Sequence, residues 1–198
     1  MTTMKILTVA ALITLSLTSA APAARAQEAP AAASEAVRPA GAQRFRNFVS
    51  DAAGPVVLLE TIGWAAAAQA NDTPAEWGGG ARGFGKRYAS LVGQSVIQES
   101  VTYALSEAFA VDSRFHKSEK HGFFPRAGDA LVQAVTSRRA NGNRVVSAPL
   151  LAGYAAGGLG MMAWYPDSYT NIDGLRYSGL ALASRAGVNL IRELIMRR

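Results

Sequence analysis

Three groups of side chains along this chain have residue types and spacings that can do chemistry. Glu99, Tyr103 and Glu107 recur at i, i+4 and i+8, so a helix sets them on one face, where paired carboxylates serve as acid and base or as metal ligands. A di-metal carboxylate centre also needs Glu-x-x-His, and neither Glu99 nor Glu107 has a histidine three residues on. Pairing with an arginine of another helix, Arg126 or Arg138, is the simpler role, because a buried Glu is rarely left alone. Asp112 and His116 stand four apart, with His121 beyond them. One helical turn would let the first two share a metal, while Lys117, Glu119 and Lys120 favour a solvated polar segment. Gly78-x-Gly80-x-x-Gly83 has the spacing of a dinucleotide fingerprint but lacks the preceding strand. Its free N–H groups beside Arg82, Lys86 and Arg87 could hold an anion. The plainer reading is a tight loop plugged by Trp77.

No hydrolase signature of the GxSxG, HExxH or SxxK type is present, and no catalytic residue is nominated. The chain has no cysteine, which excludes a thiolate metal site, an iron–sulfur cluster, a cysteine nucleophile, a lipid-modified cysteine and c-type haem attachment. No cofactor and no metal are expected.

The elements that must position these groups begin after an address. Lys5 gives a short basic start, residues 6–17 are apolar apart from hydroxyls, and Ala24-Arg25-Ala26 is a small-x-small cleavage site. That is the pattern of a secretory signal peptide over residues 1–26, and it implies export to the periplasm or cell envelope. Without Lys5 and Arg25 the balance is 18 basic to 14 acidic residues, scattered along the chain. Nucleic-acid binders carry a basic stripe interleaved with aromatics, and none is seen here. Residues 27–43 are rich in Ala, Pro and Glu, too poor in apolar side chains to fold, and predict a flexible leader before the domain.

From residue 44 the spacing predicts an all-α, single-domain, Ala/Gly-rich bundle of about five helices. They cover about 50–70, 86–111, 125–138, 147–164 and 173 to the C-terminus, with no supported strand. Ser50-Asp51 serves as the first helix cap and Ala140-Asn141-Gly142-Asn143 as a turn. Residues 145–166 hold no charge over 22 positions and carry the pair Gly153 and Gly157. A buried central helix is favoured over a membrane span, because four glycines dilute its hydropathy.

Taken in order, Glu76-Trp77-Gly78, Gly83-Phe84-Gly85-Lys86-Arg87-Tyr88, Asp112-Ser113-Arg114-Phe115, Arg126, Trp164-Tyr165-Pro166 and Asn189-Leu190-Ile191-Arg192-Glu193 resemble a motif set. It is that of a family of small exported proteins of acidobacterial type without assigned function. The resemblance covers most of residues 45–193 and implies one whole domain with no known catalysis. That family tends to read Asp-Pro-Arg-Tyr where this chain has Asp112-Ser113-Arg114-Phe115, which removes a stiffened turn and a tyrosine hydroxyl.

These residues suggest a polar assembly in which Arg87, Arg114 and Arg126 bridge Glu76, Glu99, Glu107 and Asp112. Two functional expectations follow. The first is a non-enzymatic envelope protein that meets a membrane or a second copy through its glycine-bearing helices. The second is a periplasmic binding or hydrolytic protein with a polar pocket. The candidate ligand-binding residues are Trp77, Arg87, Glu99, Asp112, Arg114, His116 and Arg126.

Overall fold

The computed structural model describes residues 39–195. The expected signal peptide and most of the expected leader lie outside the described residues. The chain is a single mostly all-α domain with a small three-stranded sheet. Its elements are α1 (Gly41–Ala53), α2 (Pro55–Ala70), a 3-10 turn (Ala75–Trp77), α3 (Gly80–Ala108), β1 (Val111–Asp112), α4 (Phe123–Val132), β2 (Thr136–Arg139), β3 (Arg144–Val146), α5 (Ala148–Met161) and α6 (Asn171–Ile195).

The first expected helix is in fact two. Ser50 and Asp51 lie inside α1, which starts within the expected leader at Gly41. The break falls at Gly54, whose N–H bonds Ser50 O at 2.9 Å. Pro55 then takes the first position of α2, where its missing N–H costs no hydrogen bond. The third expected helix stops at Val132, and residues 136–139 form a strand instead. Ala140-Asn141-Gly142-Asn143 is a hairpin turn between β2 and β3, with Gly142 at φ 82°. Asn-Gly between two short extended runs is a hairpin signal. The strands themselves are Thr-Ser-Arg-Arg and Arg-Val-Val, too polar and too short to alternate visibly.

α5 is the central helix that residues 145–166 predict. Ser147 caps it, its Oγ accepting the Leu150 N–H at 3.2 Å. α5 packs on α3 and α6, and α3 also packs on α1 and α2. The glycines set these distances. A Cβ at Gly157 would meet Gln98 Cβ at 2.9 Å and Gln94 O at 3.0 Å, so α5 lies backbone-close to α3. Gly158 meets Gly174 of α6 in the same way. The glycine faces are therefore filled from within the molecule. No helix among the described residues is long and apolar enough to cross a membrane.

The interior is unusually polar. The buried face of α3 is Gly83, Arg87, Ser90, Gln94, Gln98, Thr102 and Ser106. That of α6 is Gly174, Ser178, Asn189 and Glu193. A run of buried hydroxyls ties the sheet to the helices. Ser106 and Ser113 lie 2.9 Å apart, Ser113 and Ser137 2.7 Å, and Ser137 donates to Ser147. Ser113 and Ser137 are its middle links.

Candidate functional site

A cavity of about 490 Å³ opens between α1, α2, α3, α5, α6 and the end of β1. Each wall contributes polar side chains because each helix turns its polar stripe inward. α1 brings Asn47 and Asp51, α2 brings Glu60, and α3 brings Gln98, Glu99 and Thr102. Asp112 and Arg114 come from β1 and the segment after it, Tyr154 from α5, and Arg185 and Arg192 from α6.

The helical register of Glu99, Tyr103 and Glu107 holds, and all three line this cavity. Glu107 sits at its rim in a two-point pair with Arg44, at 2.6 and 2.9 Å. Glu99 lies deeper and accepts a hydrogen bond from Gln98 at 3.0 Å. Burial raises the Glu99 pKa, against the pull of Arg185 and of that hydrogen bond. Burial likewise raises Asp51, although Arg114, Arg185 and Arg192 oppose it. Burial also favours neutral Asp112, but His116 and the Arg114 N–H outweigh it and lower its pKa. Two carboxyls are thus biased toward holding a proton beside one held ionised.

Arg185 is the centre of this arrangement. Its Nη2 donates to Ser113 O at 2.6 Å, and its charge acts on Asp51, Glu99 and Tyr154. Its Nε is buried with no partner, as are Thr102 Oγ1 and Asn47 Nδ2. Three of the four such atoms found among the described residues therefore belong to this one cavity. An unsatisfied buried polar atom costs about 1–3 kcal/mol, so three on residues around one cavity mark a place where polar partners belong.

Of the sequence candidates, Glu99, Asp112 and Arg114 meet at this site. His116 stands beside it, Nε2 3.4 Å from Asp112 and Nδ1 3.0 Å from Arg114 O. Both ring nitrogens are engaged, leaving neither aimed at the cavity as a base. Trp77 lies elsewhere, its ring 4.8 Å from that of Tyr165. Arg87 is buried and clamps the loop after α2, and Arg126 pairs with Glu193.

The expected bridges exist in kind but with other partners. Arg87 takes Asp72, Arg126 takes Glu193, and Glu76 accepts from Ser168. Asp51, Glu60, Tyr154, Arg185 and Arg192 line the cavity but are not among the candidates nominated from the sequence. For Arg185 a signal existed: it lies seven residues after Ser178 and four before Asn189, on the polar stripe of α6. Comparison with protein-family models, with curated proteins and with solved structures finds no match for this chain.

Proposed function

We propose that this chain is an exported, non-enzymatic protein that binds a small polar molecule in the cavity around Glu99, Asp112, Arg114 and Arg185. The observation that carries the reading is that three residues lining the cavity, Asn47 of α1, Thr102 of α3 and Arg185 of α6, each hold an unpartnered buried atom: Nδ2, Oγ1 and Nε. Arginine Nε asks for an acceptor such as a carboxylate, while Glu99 and Asp51 ask for donors. A molecule bearing both an acid and an amine, or an acid and hydroxyls, satisfies both sides. Its apolar part has Phe48, Trp64 and Leu91 to lie against. Binding without turnover fits the walls better than hydrolysis, since His116 is tied to Asp112 and the Arg114 carbonyl.

The test is thermal shift of the purified protein with a panel of α-amino acids, dicarboxylates and hydroxy acids. Stabilisation of the wild type that disappears in Arg185→Met and shrinks in Glu99→Gln supports the reading. A panel that leaves the wild type unmoved, or moves both variants equally, overturns it.

A further inference from the structure

α1 lies along the cavity over most of its length. Arg44, Asn47, Phe48 and Asp51 all line it, and their spacing of three, four and seven sets them on one helical face. The residues that α3 and α5 bring to the same cavity are deep, with Gln98, Thr102, Leu150 and Tyr154 at most 8% exposed. α1 itself is lightly held. Ala52 is its one buried residue, and Phe45 and Val49 lie in the open.

Hydrogen bonds tie α1 to α3 near both of its ends. Arg44 makes its two-point pair with Glu107 at the start, and Ala52 O accepts Ser95 Oγ at 3.3 Å toward the finish. Between them Phe48 stacks on Tyr103, centroids 5.0 Å apart. The polar groups that α1 turns inward have less to meet. Asn47 Nδ2 is buried without a partner, and burial favours the neutral form of Asp51. Lifting α1 returns both groups to water, so closure over an empty cavity works against their solvation. An acceptor bound at Asn47 Nδ2 removes that opposition, and it is a contact made only when α1 is down.

The joint permits this movement. α1 ends at Gly54, which is extended with ψ 167°, and Pro55 opens α2. Proline disfavours helical geometry in the residue before it and has no N–H to donate back, so the two helices do not run on as one rod. A Cβ at residue 54 would stand 2.2 Å from Ser50 O, so the corner needs glycine. α5 offers no comparable way in, because Gly157 and Gly158 hold it backbone-close to α3 and α6.

We infer that α1 is a lid, hinged at Gly54-Pro55 and latched by Arg44 on Glu107, which admits the small polar molecule to the cavity and closes Asn47 onto it. This role rests on the cavity being a binding site, but the opening of α1 is read without any ligand.

The experiment is thiol labelling of the full chain by a water-soluble maleimide. The chain has no cysteine, so Thr102→Cys places a single thiol in the cavity, and Thr102 Oγ1 has no hydrogen bond to lose. Ala130→Cys, in α4 at a fully buried position outside the cavity lining, reports opening of the whole domain. A lid opens more readily than the domain unfolds, so Thr102→Cys is expected to react at least about ten-fold faster than Ala130→Cys. Adding Arg44→Gln breaks the latch while keeping a good helix former, and should speed Thr102→Cys a further three- to five-fold or about that. A common rate for the two thiols overturns the inference, since only global unfolding then admits the reagent. So does a fast Thr102→Cys that Arg44→Gln leaves unchanged, because entry then lies elsewhere.

Should a cysteine variant fail to fold, hydrogen exchange of the unaltered chain reads the same event. α1 is expected to exchange as a unit ahead of α2 and α3, and equal protection of the three helices overturns the inference. A ligand panel that stabilises nothing would overturn the binding reading while leaving the opening of α1 in place. A common labelling rate beside a stabilising ligand would do the reverse.

Discussion

Arg126 holds Glu193 at two points, Nε 2.7 Å from Oε1 and Nη2 2.5 Å from the Glu193 carbonyl, across 67 residues of sequence. The Glu193 side chain is fully buried, and its second oxygen accepts the Ser118 N–H at 2.9 Å. One carboxylate thus ties α4 and the segment after β1 to the last turns of α6.

Removing the guanidinium leaves that carboxylate inside the protein with a backbone N–H alone for support. Arg126→Ala is expected to cost about 2–4 kcal/mol, read by urea unfolding at neutral pH. Arg126→Lys should recover less than half, because one ammonium cannot reach carboxylate and carbonyl in the same fork geometry. A wild-type midpoint for Arg126→Ala would refute the tie.

Asp129 gives the domain an acid limit. Arg144 binds it at 2.5 and 2.9 Å, and Lys120 stands 3.3 Å away. The Arg144 hydrogen bonds, acting against burial, bring its pKa down from 3.8 to about 2. A carboxylate depressed on folding adds stability above its unfolded pKa and loses it as pH falls toward the folded one. The contribution, about 1–2 kcal/mol after allowance for the partly exposed arginine, should vanish between about pH 4 and pH 2. Arg144→Gln should flatten thermal midpoints across that window while sparing helicity at pH 7.

Glu99 has the opposite sign. Its folded pKa is raised by burial, so its contribution is present below the unfolded pKa and lost as pH rises through the folded one. Glu99→Gln removes the charge while keeping the shape. Its thermal midpoint is expected to exceed that of the wild type at neutral pH and to converge with it in acid. A midpoint lowered at neutral pH would mean that the ionised form has a partner inside the fold.

Arg87 shows what a sequence reveals and withholds. Its motif was visible, and so was its place on a long helix, but not its task. All five of its N–H donors are used: by the carbonyls of Thr73, Pro74 and Gly78 at 2.7–2.8 Å, by Gln69 at 2.5 Å and by Asp72 at 3.2 Å. Arg87→Met should cost about 3 kcal/mol and speed hydrogen exchange over residues 71–79.

The same contrast runs through the fold. Helical periodicity and the glycine spacing of α5 are local and were legible. So was the shared face of Glu99, Tyr103 and Glu107. The partners of Arg126 and Arg87 depend on which loop folds back, which no local pattern encodes. The cavity was half visible. Arg185 and Tyr154 sit in segments that read as plain Ala/Leu/Gly helix, and they become polar walls only because the molecule is polar within.

Glycine substitutions separate close packing from surface. At Gly158 an added Cβ would run into Gly174 O and Ser178 Oγ, where α5 crosses α6, and a backbone oxygen cannot swing aside. Gly158→Ala should therefore destabilise by about 2–3 kcal/mol. Gly179 lies one residue beyond Ser178 on the outer side of α6, with nothing within 4 Å of its Cβ position. Alanine there relieves the entropic cost of an interior helical glycine and should add about 0.5–1 kcal/mol. Denaturant midpoints for the two variants should move in opposite directions. Equal losses would mean that α6 is covered on its outer face, and equal tolerance that α5 and α6 do not meet through their backbones.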